Sequence, residues 1–320
     1  MRVLVTGYSG LLGRHLARAL RREGYTVRAL LHKSPILRKE FDEEVDEVFW
    51  GSMDDEKTIR QAVRGVQVVL HSAWAQSAPT SLRPTLNERA SERFFAESVQ
   101  AGVRGFVFIS SVAVYGMTNR SDILLDESSP FAEEEALKFI YPSEKIWIEN
   151  ILRAYEGNGI KLGIFRPGPI FDDRKGPCKK ILRSMGRTLA IGIGSGHNHL
   201  PYIHADDVAN AIIKWIKAGK SGEVFNVTPS HCPTARASYI NWEKMIEQPV
   251  TPIFIRPLVI RLLSWGAKLI KKLLGKQSNA DIQYAIASAT RDSSYSNRAL
   301  KAALDWTDEA TARYYSPSVR

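Results

Sequence analysis

Tyr141 and Lys145 stand four residues apart, in the run Tyr141-Pro142-Ser143-Glu144-Lys145. On a helix that spacing puts both side chains on one face, one turn apart. A tyrosine hydroxyl with its ordinary pKa of about 10 is a poor acid or base near neutrality. An ammonium close by favours the phenolate and lowers that pKa, which suits the group to proton transfer. Pro142 has no N–H and fits only a first helical turn, so Tyr141 is expected at the start of its helix. Upstream, an apolar run ends in Ser110-Ser111-Val112-Ala113-Val114-Tyr115-Gly116. A Ser111 hydroxyl at such a strand end can hydrogen-bond a substrate oxygen. An isolated Tyr-x-x-x-Lys is more often a solvated helix face; the serine-bearing strand end tips the reading toward chemistry.

A second constellation lies at the head of the sequence. Arg2-Val3-Leu4-Val5-Thr6 reads as a strand and is followed at once by Gly7-x-x-Gly10-x-x-Gly13. A helical pattern then places Leu12, Leu16, Ala19 and Leu20 on one face, and Gly24 stops it. A strand, a tight glycine turn and a helix N-terminus make a site for a pyrophosphate. Gly7 permits the turn, Gly10 lets backbone N–H groups approach the phosphates, and Gly13 lets the helix pack on the strand. The first gap is one residue wider than in the familiar G-x-G-x-x-G pattern, but the flanking strand and helix supply the context the motif needs.

The elements that must position these residues follow in order. Strands are expected at Tyr25 to Leu31, Asp46 to Trp50, Val66 to Leu70, Phe106 to Ile109, Ile160 to Phe165 and Glu223 to Thr228. Helices are expected at Asp54 to Arg64, Asn87 to Gly102, around Tyr141 and Lys145, and after His204. This alternation implies an α/β fold with a doubly wound parallel sheet of the Rossmann type. The dinucleotide-binding domain is expected over 1–170, together with about 204–228. A smaller, mostly helical substrate lobe is expected from 171–203 and 229–320. An acidic residue about 20 positions beyond the glycines would hold the adenosine ribose. Leu31 occupies that place, followed by His32 and Lys33, with Arg28 nearby. Cations there attract a 2′-phosphate and favour NADP, with NAD also accommodated.

In family order the motifs are Thr6-Gly7-x-x-Gly10-x-x-Gly13, His71-x-Ala73, Ser110-Ser111-x-x-Val114-Tyr115-Gly116, Tyr141-x-x-x-Lys145, Arg166-Pro167-Gly168 and His204-x-Asp206-Asp207-Val208-Ala209. With them the chain resembles the extended short-chain dehydrogenase/reductases of the NAD(P)-dependent epimerase/dehydratase superfamily, to about residue 230. The resemblance implies Tyr141 as acid/base, Lys145 also as a ligand of the nicotinamide ribose, and Ser111 as the group orienting substrate. For the cofactor it implies Gly7, Ser9, Gly10, Leu11, Leu12, Gly13, His32, Lys33, Ser52, Met53, Ser72, Ala73, Trp74, Ser110, Tyr141, Lys145, Pro167 and Ile170. Several positions depart from the pattern. Glu144 replaces the usual Ser or Thr before the lysine, and Gly51-Ser52-Met53 replaces Gly-Asp-hydrophobic. His32 stands where reductase branches often have arginine. No acidic pair follows Ser111, and no asparagine follows Arg166 to hold a nucleotide-sugar diphosphate. The missing asparagine and the run Tyr25-Thr26-Val27-Arg28-Ala29-Leu30 lean toward the dihydroflavonol-reductase and 3β-hydroxysteroid-dehydrogenase-like branch: an NADP-dependent oxidoreductase acting on a carbonyl or secondary alcohol of a small, apolar substrate. The alternatives are a nucleotide-sugar epimerase of the same superfamily, or a non-enzymatic NADP-binding sensor. The resemblance also allows a homodimer.

Composition fits this reading. The 320 residues are 44% apolar, enough for a sizeable core. The net charge of +10 is spread over Arg14 to Arg28, Arg174 to Arg187 and Arg256 to Lys276, a basic surface around an anionic cofactor and not a nucleic-acid module. Cys178 and Cys232 form no metal spacing or disulfide framework, and with no room for a signal peptide the expected setting is the reducing cytoplasm. His204 with Asp206-Asp207, and His197-x-His199, have too few ligands for a metal site; His204 is expected to cap the helix that follows. The stretch 257–276 carries Arg261, Lys268, Lys271, Lys272 and Gly275 on one side of a helix and Leu262, Trp265, Leu269, Ile270 and Leu273 on the other. Its apolar face is expected to be buried in the substrate lobe; otherwise it covers an apolar substrate or lies on an anionic membrane surface.

Overall fold

The computed structural model describes residues 1–32, 44–75, 84–117, 120–136, 138–155, 157, 159–174, 176, 181–184, 187–263, 265 and 282–315. Its strands are β1 (Arg2–Thr6), β2 (Thr26–Leu31), β3 (Glu47–Trp50), β4 (Val68–His71), β5 (Gly105–Ile109), β6 (Arg120–Leu125), β7 (Lys161–Pro167), β8 (Ile170–Phe171), β9 (Ile181–Ser184), β10 (Arg187–Ile193), β11 (Ile203–His204), β12 (Glu223–Val227), β13 (Val250–Ile255) and β14 (Ser293–Tyr295). Seven of them form one parallel sheet in the order β12-β7-β5-β4-β1-β2-β3. From β1 the chain runs outward through β2 and β3, then returns to the other side of β1 for β4. That reversal opens a crevice at the carboxyl ends of β1 and β4, where ligands of such sheets bind. The middles of β1 and β4 are apolar because helices cover both faces of the sheet: Val3, Leu4, Val5, Val69 and Leu70 are all fully buried.

The helices are α1 (Leu11–Arg22), α2 (Glu56–Val63), α3 (Leu86–Gln100), α4 (Glu133–Ala136), α5 (Ile140–Ala154), α6 (Ala205–Ala218), α7 (Ala235–Asn241), α8 (Glu243–Ile246), α9 (257–263), α10 (Ile282–Thr290), α11 (Arg298–Leu304) and α12 (Glu309–Tyr315). On one face of the sheet α1 packs against α6, where Leu12, Leu16 and Leu20 meet Val208, Ile212 and Trp306. On the other face α2, α3 and α5 bring Ile59, Phe94, Phe95, Ile148 and Leu152 onto Leu4, Val69 and Phe106. Side chains fix the helix starts. Asp55 caps α2 through the Lys57 and Thr58 N–H groups, and Thr85 and Glu88 form a reciprocal capping box on α3. His204 caps α6 as expected, its Nδ1 accepting the Asp206 N–H at 3.2 Å. The next carboxylate, Asp207, instead reaches across to α12, accepting from the Ala310 and Thr311 N–H groups and the Thr311 hydroxyl.

Beyond the main sheet, helices α7 to α10 share the lobe with a three-stranded sheet in the order β13-β10-β9, which packs around Tyr239, Trp242 and Phe254. The sequence hid β10 because its buried positions are Thr188, Ala190 and Gly192, small or polar residues that give no apolar alternation to read. The expectation that the 257–276 helix buries its apolar face is corrected for the part described. Residues 257–263 and 265 are helical, and Leu258, Val259, Leu262, Leu263 and Trp265 are all exposed. The rest of that stretch to residue 276 lies outside the described residues. No helix among the described residues is long and apolar enough to cross a membrane.

Candidate active site

A cleft of about 840 Å³ runs across the carboxyl ends of β1, β4, β5 and β7. Its floor is the glycine turn. Gly7 has φ +72°, and a Cβ there would lie 2.7 Å from the Ala73 nitrogen, so any side chain would drive β1 and the loop after β4 apart. At Gly13 a Cβ would lie 2.3 Å from the Gly7 carbonyl oxygen, so only glycine lets α1 sit this close to the turn. Gly10 caps α1 without a side-chain hydrogen bond, and the first turn carries no acid. The helix therefore presents unpartnered N–H groups and the positive end of its dipole to the cleft, an arrangement suited to an anion. An uncapped helix start above a cradle that a Cβ would fill fits the pyrophosphate of a dinucleotide.

The loop after β4 is pinned by a buried histidine. The Ser91 hydroxyl donates to the Asn87 carbonyl at 2.7 Å and so accepts from His71 Nε2–H at 3.0 Å. That assigns the other nitrogen, Nδ1, as acceptor of the Thr6 hydroxyl at 3.0 Å. Burial pulls the His71 pKa down to about 3, helped by the charge of Lys145, so the ring stays neutral. Thr6 Oγ1 also accepts the Ala73 N–H, and Ser72 donates to the Thr6 carbonyl. Asn87 clamps Ala75 through both its N–H and its C=O and donates to the Glu144 carboxylate of α5. Trp74, held between these clamps, turns its ring toward α5.

Tyr141 lies in the first turn of α5, where Pro142 was expected to put it, and it faces the cleft. Ser111 sits beside the Tyr141 hydroxyl, where its hydrogen bond favours the phenolate, and its Oγ also accepts the Ala113 N–H at 3.2 Å. Lys145 is buried. Its Nζ donates to the Ile109 carbonyl at 2.7 Å and lies 3.6 Å from the centre of the Trp74 ring. The expectation that this ammonium lowers the Tyr141 pKa is corrected. Burial raises Tyr141, the Ser111 hydrogen bond opposes the rise, and the Glu144 carboxylate adds to it. Burial also brings Lys145 down to about 7, against the charges of Glu144 and Glu149. The ammonium faces a carbonyl and an indole, not the phenol oxygen.

Beneath Ser110 and Ser111 lies a polar network that the sequence did not reveal. Arg166 on β7 and Glu149 on α5 are both fully buried and paired through two guanidinium nitrogens, at 2.6 and 3.0 Å. Ser110 donates to the same carboxylate. Arg166 donates to the Tyr115 hydroxyl at 2.7 Å, which in turn donates to Asn226 at 2.8 Å. Charge and hydrogen bonding together pair Arg166, Glu149, Ser110 and Tyr115 and lock the end of β5 against α5, while Asn226 Nδ2 stays buried without a partner among the described residues.

A family model described as the NAD dependent epimerase/dehydratase family matches residues 3–228. The chain belongs to that family. An uncharacterised protein of Sinorhizobium fredii is 31% identical over 66% of this chain, which spans only about half (52%) of that relative. A ceramide reductase of Caulobacter vibrioides is 24% identical over 81% of this chain and 73% of its own. A decarboxylating sterol-4-alpha-carboxylate 3-dehydrogenase of Dictyostelium discoideum is 24% identical over 85% of this chain and 87% of its own. Among solved structures, the UDP-glucose 4-epimerase of Thermus thermophilus in complex with NAD shares the fold, with a TM-score of 0.69, 21% identity, and coverage of 97% and 94% of the two chains.

For this epimerase/dehydratase-family enzyme, the cleft brings together Gly7, Gly10, Leu11, Leu12, Gly13, Ser72, Trp74, Ser110, Ser111, Tyr141, Lys145, Pro167 and Ile170 of the residues singled out in the sequence. Ala73 is turned to Thr6 instead, and Ser9 opens on a smaller neighbouring pocket with Arg14, Arg18 and Arg174. His32 is exposed just past β2, while Ser52 and Met53 follow β3, all toward the outer edge of the sheet. Lys33 lies outside the described residues. Sequence reasoning missed Met117, Glu144, Tyr284, Ser288 and Arg291, which also line the cleft. Tyr284 comes from α10, with its ring 5.6 Å from that of Tyr141. Only the hydroxyl-and-ring composition of 282–290 hinted at it. Glu144 was visible as a departure from the family pattern, but nothing in its spacing showed that it is buried.

Proposed function

We propose that this enzyme is an NADP-dependent oxidoreductase that interconverts a carbonyl and a secondary alcohol on a small, apolar substrate. The observation that carries the reading is Tyr141 Oη, hydrogen-bonded to Ser111 and set in the same cleft as the uncapped start of α1. Gly7, Gly10 and Gly13 would hold the pyrophosphate, and Ser72, Trp74, Ser110, Lys145, Pro167 and Ile170 would line the rest of the cofactor's path. When bound, the nicotinamide supplies or accepts a hydride. Tyr141 gives or takes the proton at the substrate oxygen, Ser111 orients that oxygen, and Lys145 holds the ribose side of the cleft. Support for NADP comes from the lack of a carboxylate at Leu31 and from His32 at the end of β2.

Support for an apolar substrate comes from the walls of Trp74, Met117, Ile140 and Tyr284, and from two relatives named for a ceramide and a sterol. A nucleotide-sugar epimerase is the second reading, favoured by Arg291 at the cleft and disfavoured by Pro167 where a diphosphate-binding asparagine would follow Arg166. A reducing cytoplasm suits the free thiol of Cys232. Thermal shift with NADPH present, across sterols, sphingoid ketones, flavonoids and nucleotide sugars, tests the reading, because a ligand of the folded state raises stability by RT ln(1 + [L]/Kd). A shift by nucleotide sugars alone would replace the first reading with the second.

A further inference from the structure

The substrate lobe carries a surface that the cleft does not use. Trp265, Leu258, Leu263 and Leu262 are the four most exposed large apolar side chains among the described residues, at 70, 65, 65 and 62%. Leu258, Leu262 and Trp265 follow one another at helical spacings of four and three, with Val259 and Leu263 beside them, so the exposed residues form one stripe. Contiguous apolar surface of this kind on a soluble domain marks a contact site. Its charge setting narrows the occupant. Arg256, just before this helix, and Arg261, within it, are exposed, and from residue 256 to 276 the sequence has Lys and Arg but no Asp or Glu. A second copy of this chain, docked on the same patch by a two-fold axis, would bring like charges together. An apolar layer beneath anionic head groups meets both halves of the surface.

We propose that α9 is a docking helix for anionic phospholipid membranes. It lies in the plane of the interface, with Leu258, Leu262, Leu263 and Trp265 inserted and Arg256 and Arg261 against lipid phosphates. The helix belongs to the lobe whose α10 supplies Tyr284 and Ser288 to the cleft, so docking brings that wall toward the lipid. The proposal does not depend on the substrate reading, and its readout is separate from turnover.

The test is co-sedimentation of the full chain with vesicles of phosphatidylcholine alone and of phosphatidylcholine mixed with phosphatidylglycerol, at low and high salt. Binding is expected to the mixed vesicles only and to weaken as salt screens the charges. Leu262→Ser, Leu263→Ser and Trp265→Ser combined should lower the partition coefficient by about tenfold or more. Arg256→Glu should weaken binding to mixed vesicles without changing the melting temperature. These substitutions are at exposed positions, so unchanged thermal unfolding certifies the fold. Absence of binding at low salt, or equal binding by the apolar variant, overturns the proposal. So does a vesicle-indifferent dimer that the apolar variant converts to monomer, which would assign the face to a second copy.

Discussion

At the residue scale the site holds a tyrosine raised by burial beside a lysine lowered to about 7, and both consequences can be measured. Tyr141→Phe keeps the ring between Trp74 and Tyr284 and removes only the hydroxyl, so turnover should fall by ~10² or more while cofactor titration is unchanged. Near wild-type turnover on an identified substrate would remove Tyr141 from the chemistry. Lys145 also leaves a mark on stability. An unfolded lysine titrates near 10.4, about three units above the buried one. Between pH 7 and about 10.4 the unfolded chain holds a proton that the folded chain lacks, so this group makes the fold more stable as pH rises through that window. Melting temperatures of the wild type minus those of Lys145→Met should climb with pH across it and level off below pH 7. A flat difference would show that the lysine keeps its ordinary pKa.

At the element scale, Arg166 and Glu149 join β7 to α5 beneath the strand end that carries Ser110 and Ser111. Glu149→Ala would leave a buried guanidinium without its carboxylate and should cost ~3–5 kcal/mol in denaturant unfolding. The double variant with Arg166→Met should cost less than the sum of the two single changes, because it removes both charges. His71 offers a second check. Its ring should hold the neutral Nε2–H form in nitrogen NMR down to about pH 4, since burial keeps its pKa near 3. These features also show what the sequence could convey. The glycine turn, the alternation of strands with helices and the Tyr141–Lys145 spacing were legible because each is written within a few consecutive residues. The Arg166–Glu149–Tyr115–Asn226 network was not, because its members come from two strands, a turn and a helix, and Glu149 looks like any surface acid of an amphipathic helix. The low Lys145 pKa was illegible for the same reason: it comes from burial, and Trp74, whose ring helps to bury the ammonium, lies 71 positions earlier.

At the scale of the whole molecule, cofactor choice should appear in overall stability. NADPH should raise the melting temperature more than NADH at equal concentration, since neither Leu31 nor His32 repels a 2′-phosphate. A larger rise with NADH would overturn the NADP reading. The cleft is also assembled from widely separated parts of the chain. Arg291 Nη1 donates to the Gly116 carbonyl at 2.7 Å, and β14 pairs with β6, so the far end of the chain closes over the loop that follows Ser111. This has a consequence for the order of events on the ribosome. The glycine turn is made before Tyr141, and Tyr141 before Tyr284, Ser288 and Arg291. A nascent chain therefore owns a dinucleotide groove long before it owns a wall for a substrate to rest on. Cofactor captured at that stage would act as a template for the half-built sheet, and Tyr141 would face no substrate wall until Tyr284, Ser288 and Arg291 have been made.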